Sequence, residues 1–334
     1  MGDNTKIPLV SSEITGIWSS YMGETLLINK LKYFLNKVED AEDSAIMQNT
    51  LNLANQRIET LTNLFNKENL PIPDGFKDED VTLNAPRLFT DGFYLPYMCY
   101  VARVAMQKYV MILNHAARSD IRNYFSNCIF DYTDLYNKAA ELKLSKGVFI
   151  RSPRVEVPKE VQYVKNESFI VDWFGEKRPL LTSEISHVFC ICYATTIRKT
   201  FLIAFNQVCK DKKISDYISK GINMANKQTN VLNSILTNEN IPISFPSDSY
   251  VTDSIVSPFS EKLMLSKIMI MCGEKTISLG MASADVMRSD LQSTFKKFTD
   301  EILKYNKEGM DIMINYGWLE QPPQAVRHEN LVEV

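Results

Sequence analysis

The clearest pattern of apolar positions in the chain is a heptad seam, Met47, Leu51, Ala54, Ile58, Leu61 and Phe65, whose spacings alternate between four and three residues. A stripe of that period predicts an amphipathic helix packed along one side. It returns 171 positions later as Ile218, Ile222, Ala225, Thr229, Leu232 and Leu236. A second seam, Ile121, Phe125, Cys128, Tyr132, Leu135, Ala139 and Leu142, returns 170 positions later as Leu291, Phe295, Phe298, Ile302, Tyr305, Gly309 and Ile312. One module is therefore written twice, with a single deletion between the two offsets. Shorter echoes agree. Glu68-Asn69-Leu70-Pro71 recurs as Glu239-Asn240-Ile241-Pro242, Ser12-Glu13-Ile14 as Ser183-Glu184-Ile185, and Arg118-Ser119-Asp120 as Arg288-Ser289-Asp290.

Each module predicts four helices. The first runs from Ser11 to about Val38, with Ser11 or Ser12 as a hydroxyl cap and Glu13 favouring the positive end of the dipole; Thr182, Ser183 and Glu184 repeat the start. Ser119 or Asp120 caps the fourth helix, and Gly147 and Gly317 are its natural stops. Arg118 and Arg288 then belong to the capping turn rather than to a ligand site. Between the second and third helices, Asn69 to about Leu88 carries Pro71, Pro73, Gly75 and Pro86 and cannot be helical throughout. About 20 extended residues reach some 60 Å, more than the roughly 40 Å of a long helix. The segment can therefore run the length of a bundle and start the third helix parallel to the second. One long crossover with short turns elsewhere is the ferritin-like variant of the four-helix bundle. The expected fold is all-α: a first bundle over 1–147, a packed extended linker over 148–178, a second bundle over 179–323 and a mobile tail over 324–334. In the linker, Phe169, Ile170, Trp173 and Phe174 need burial.

The third helices, about Leu88 to His115 and Phe259 to Met287, are too apolar for a helix with one solvent face. Pro96 should kink the first of them or mark its real start. The surplus apolar surface needs a cover: the linker, the sister bundle, a second chain or a ligand. Tyr97, Tyr100, Met264, Met269 and Met271 are the candidate apolar contacts, the thioethers suiting an adaptable surface.

Composition narrows the classes. With 45% hydrophobic and 23% charged residues, the chain reads as globular, and a net charge of −3 with no basic cluster argues against nucleic acid. The most apolar stretch, Phe93 to Leu113, is broken by Arg103, Gln107 and Lys108, so no membrane span is expected, and nothing directs export. The six cysteines form no Cys-x-x-Cys pair and read as buried thiols of a reducing, cytoplasmic compartment.

The chemistry is sparse. A di-metal centre of the ferritin-like kind needs a Glu from each of two helices and a Glu-x-x-His from each of the other two. The chain has 3 histidines, and Glu184-Ile185-Ser186-His187 is its sole Glu-x-x-His, which leaves Glu184 and His187 as the nearest approach to metal ligands. No phosphate loop and no nucleophile elbow occurs, so no catalytic residue and no cofactor is expected. Glu24, close to the first-helix seam, reads either as a buried acid or, by preference, as a carboxylate that snorkels to the surface.

Several longer motifs carry a resemblance. Phe34-Leu35-Asn36-Lys37-Val38-Glu39, Asn84-Ala85-Pro86-Arg87-Leu88-Phe89, Phe174-Gly175-Glu176-Lys177-Arg178-Pro179-Leu180 and Gly317-Trp318-Leu319-Glu320-Gln321-Pro322-Pro323 resemble an uncharacterised family of endospore-forming bacteria. That family is built from two ferritin-like bundles and is similar to spore coat protein F. The resemblance implies the fold and a spore-associated role, and supplies no activity. Members often carry histidine in the second helix of each module, where this chain has Arg57 and Gln228. The leading reading is a non-enzymatic bundle protein that acts by assembly, including with a second copy of itself, or by binding an apolar small molecule or protein partner. The alternative is a metal-dependent redox protein of ferritin-like type.

Overall fold

The structure, a computed structural model, describes residues 7–156, 158–170, 177–241 and 250–325. Eight α-helices fill the described residues: α1 Ser11–Leu35, α2 Ala41–Lys67, α3 Asp91–Leu113 and α4 Ser119–Ser145, then α5 Thr182–Val208, α6 Lys212–Thr237, α7 Glu261–Asp285 and α8 Ser289–Asn315. Side-chain bonds fix their directions. Ser12 bonds the carbonyl of His115 at one end of α1 and Lys30 meets Tyr97 towards the other, so α1 and α3 are antiparallel. Lys67 with Asp120 and Lys146 with Asp43 set α2 antiparallel to α4. With short turns joining α1 to α2 and α3 to α4, α2 and α3 run the same way, as a long crossover requires. In the second half, His187 with Asp285 sets α5 against α7, and Lys220 with Glu308 and Lys227 with Glu301 set α6 against α8. The chain is two tandem four-helix bundles.

The repeated motifs meet at one end of each bundle, and they are structural. Glu68 closes α2, and Asn69 takes the left-handed conformation (φ 54°) that lets the Leu70 N–H return to the Phe65 carbonyl at 2.9 Å. Glu68 also pairs with Arg118 at 2.8 Å, and Arg118 with Asp120 at 2.7 Å. Glu13, fully buried, accepts from the backbone N–H groups of Val10, Ala117 and Arg118. Asn240, Glu239, Arg288, Asp290 and Glu184 rebuild the same knot, with Arg178 added on Glu184 at 2.8 Å. The caps therefore differ from expectation. The N-caps of α1, α5 and α4 are Val10, Leu181 and Arg118, none of which caps through its side chain. At α1 and α5 the glutamate three residues on, Glu13 or Glu184, satisfies the backbone in place of a hydroxyl.

Glu184 carries a pH dependence. Burial pushes its carboxyl up, but the hydrogen bonds from Arg178, Leu181 and Arg288 outweigh it and hold it below its ordinary value of 4.5. The unfolded chain takes up the proton first, so this stabilisation is complete above about pH 4.5 and is lost as pH falls through the lower folded value. Glu184→Gln is expected to cost about 1.5–3 kcal/mol at neutral pH and to flatten the acid limb of a stability-against-pH curve. Urea titrations at pH 7 and at acid pH check both.

The two crossovers lie side by side. Val81 bridges Phe259 and Phe89 bridges Val251, both antiparallel. Val81 and Val251 are repeat equivalents, as are Phe89 and Phe259, so the two bridges are exchanged by a pseudo-twofold axis. The offset is thus 171 up to Ile241 and 170 from Val251 onward. Around this axis the bundles share one aromatic core: Phe201 of α5 packs edge-on to Phe89, Phe93 and Tyr97, and Phe259 to Tyr33 and Phe34.

Several boundaries and faces differ from the sequence reading. Helix α1 stops at Leu35, α3 starts at Asp91 with Pro96 inside it, and α7 is Glu261–Asp285. The most enclosed helices are α1 and α5, which face their own bundle and its sister together; α5 is long and apolar enough to cross a membrane but lies mostly buried in the fold. The linker packs at its ends and not throughout. Arg178 covers the Phe169 ring at 4.3 Å, whereas Val161 and Tyr163 are exposed. Trp173, Phe174 and residues 326–334 lie outside the described residues. Cys190 is exposed, unlike the thiols expected to be buried.

Candidate functional site

The pseudo-twofold axis generates two equivalent clefts at the seam between the bundles. The first, about 310 Å³, is bounded by α1 and α3 of one bundle and by α7 and the end of α8 of the other. Its walls are almost wholly apolar, with Trp18, Met22, Val101, Val104, Met269 and Trp318 among them. The second, about 440 Å³, is its mate: Phe189 stands for Trp18, Tyr193 for Met22, Cys99 for Met269, Lys143 for Met313 and Phe149 for Leu319. The mate has become polar and basic. Lys143 donates to the Tyr193 hydroxyl at 2.8 Å and lies over the Phe149 ring, and Arg103 lines the same wall.

The inner end of the first cleft holds charge. Lys30 of α1 and Lys267 of α7 are both buried, with Nζ atoms 5.8 and 5.7 Å from the Phe201 ring centroid. Lys30 donates to the Tyr97 hydroxyl; Lys267 lies 3.7 Å from Glu274, which accepts from the Tyr100 hydroxyl, and Arg198 donates to that same hydroxyl at 3.2 Å. Burial pushes Lys30 well below the ordinary lysine range and the neighbouring Lys267 pushes it further; burial lowers Lys267 too.

Further along the wall lies a polar network inside the first bundle. Glu24, buried rather than snorkelling, accepts on Oε1 from Tyr109 at 2.8 Å, Tyr132 at 2.9 Å and Arg57 at 3.4 Å, while its Oε2 is buried without a partner. Arg57 also reaches Asp131 at 2.9 Å and lies over the Tyr132 ring at 4.4 Å. The second bundle holds Thr195, Gln228 and Ile302 at the positions of Glu24, Arg57 and Tyr132. There Gln228 bridges Lys275 and Glu301.

Of the five candidate apolar contacts, the cleft brings together Tyr97, Tyr100 and Met269. Met264 is buried in the second bundle, and Met271 lines a separate void of about 40 Å³. Glu184 and His187 are not brought together: Glu184 spends both oxygens on the knot, and His187 turns to Asp285 at 2.7 Å. Among the described residues no group of three or more His, Cys, Asp or Glu side chains could hold a metal. Burial pushes the thiols of Cys128, Cys192 and Cys272 up to about 12, so they stay protonated at neutral pH and are poor nucleophiles. Sequence reasoning missed Lys30 and Lys267, and for Glu24 it preferred the surface to the buried acid that the structure shows. The signal was in the duplication, where a charge in one module faces an uncharged residue in the other.

Tandem all-α bundles fused through an aromatic seam, with a cleft on either side of it, define the class. The chain belongs to the family described as "Protein of unknown function (DUF3231)", which matches residues 1–161 and again 168–331. No curated protein matches it. A solved structure from Bacillus halodurans, described as a "putative spore coat protein", is similar at 18% identity and a TM-score of 0.41, over 46% of this chain and 99% of that one.

Proposed function

We propose that the protein is a non-enzymatic binder of an apolar small molecule, held in the first cleft between the bundles. The observation that carries this is the cleft itself: about 310 Å³ walled by indole, thioether and aliphatic groups, within the size range of small-molecule sites. An apolar surface of that kind left to water is costly, and the flexible Met22, Met269 and Met313 side chains suit a ligand of variable shape. Redox chemistry of the ferritin-like kind has no support from the described residues: Glu13 and Glu184 bond backbone and arginine donors, and Glu24 bonds Arg57, Tyr109 and Tyr132 through one oxygen with no second carboxylate or histidine grouped beside it.

Nile red provides the test. Wild-type protein is expected to give a saturable rise in dye emission. Met269→Glu, which sets a charge on a half-buried wall position, should weaken binding by about tenfold or more with helix content unchanged. Undiminished dye binding by that variant would overturn the reading.

A further inference from the structure

Lys30 and Lys267 are hard to explain by packing. The repeat equivalent of Lys30 is Phe201, and that of Lys267 is Tyr97. In both cases the same backbone position of the sister bundle is filled by a ring, so the fold accepts an aromatic side chain where each amine stands. The seam carries instead two buried amines with Arg198 beside them, against the single carboxylate of Glu274. Among the described residues Lys30 has the Tyr97 hydroxyl as its hydrogen-bond partner and makes no ion pair, and Arg198 keeps a buried Nη1 without a partner. Buried amines without matching anions are held towards the neutral form, and an arriving anion would stabilise their charged form. The groups facing this point are Lys30 of α1, Tyr97 and Tyr100 of α3, Arg198 of α5, and Lys267 and Glu274 of α7, with Glu24 and Lys108 further along the same lining, so basic groups outnumber carboxylates.

Resting on the reading of the cleft as an apolar binding site, we infer that its ligand is an anionic amphiphile, a long-chain carboxylate whose head lies against Lys30 and Lys267 and whose chain runs along the apolar wall towards Trp318. Charge-assisted bonds from two amines satisfy the carboxylate in a place closed to water. The amines at the floor match the head of such a molecule, and the mostly apolar surface of the wall, interrupted by Glu24, Lys108, Lys262 and Glu320, matches its chain.

The test compares dodecanoate with 1-dodecanol as competitors for Nile red on the full chain. The acid is expected to bind about tenfold or more tightly than the alcohol to wild-type protein. The double variant Lys30→Met, Lys267→Met should lose that preference while keeping its affinity for the alcohol. Lys30→Phe, which copies the sister position, gives a second variant suited to the fold, and the wild-type ratio needs no variant at all. Equal binding of acid and alcohol by wild type would overturn the head-group assignment and leave the apolar site standing. Displacement by neither, with no dye uptake, would overturn both. A preference for the acid that survives in both variants would place the carboxylate elsewhere and also overturn the inference.

Discussion

Replacing Phe201 with alanine is expected to cost about 3–5 kcal/mol, the usual penalty for truncating a fully buried phenylalanine. The ring is completely inaccessible and sits edge-on to Phe89 at 5.6 Å, Phe93 at 5.1 Å and Tyr97 at 5.1 Å, all three from the other bundle. Its loss opens a cavity at the seam rather than within one bundle. A globular domain is stable by about 5–15 kcal/mol, so this one side chain would remove a large share of the total. The two bundles share the core that the ring fills, so wild-type protein should unfold in one transition, with circular dichroism and tryptophan emission coincident in urea. The variant should shift that midpoint strongly downward. A cost under about 1 kcal/mol, or wild-type bundles that melt separately, would show that the seam is a contact between independent domains.

The sequence made the regular parts of the fold legible because they depend on local period. The seam residues Met47, Ala54, Leu61 and Phe65 are all buried, Gly147 and Gly317 close α4 and α8 in the left-handed conformation, and the long crossover forced α2 and α3 to run the same way. What local pattern could not resolve is a residue whose environment comes from several helices at once. Glu24 meets Arg57 of α2, Tyr109 of α3 and Tyr132 of α4, and a lone carboxylate on an apolar stripe gives no hint of partners 33 to 108 positions away. Lys30 and Lys267 are the same case at the seam, since each also faces a ring of the sister bundle, Phe201 and Tyr100 respectively. The caps failed for a different reason. A hydroxyl near a helix start is a common cap, but here Glu13 and Glu184 also tie the start of α1 and α5 to the turn before α4 and α8, a duty a short serine could not reach.

The Glu24–Arg57 pair is where the duplication makes the sharpest prediction. Arg57→Leu would leave the Glu24 carboxylate buried with two tyrosine hydroxyls and no cation, and breaking a buried pair from one side costs about 3–5 kcal/mol. Yet the second bundle folds with Thr195 and Gln228 at these positions, so the architecture does not demand the ions. What it demands is that neither be left alone. Glu24→Gln keeps an acceptor for Tyr109 and Tyr132 while removing the charge, and in that background Arg57→Leu should cost markedly less. The coupling from a cycle of the four proteins, read from urea midpoints, is expected to be about 2 kcal/mol or more. If Arg57→Leu costs the same in both backgrounds, the arginine acts through its packing on the Tyr132 ring, 4.4 Å away, and the ion pair contributes little.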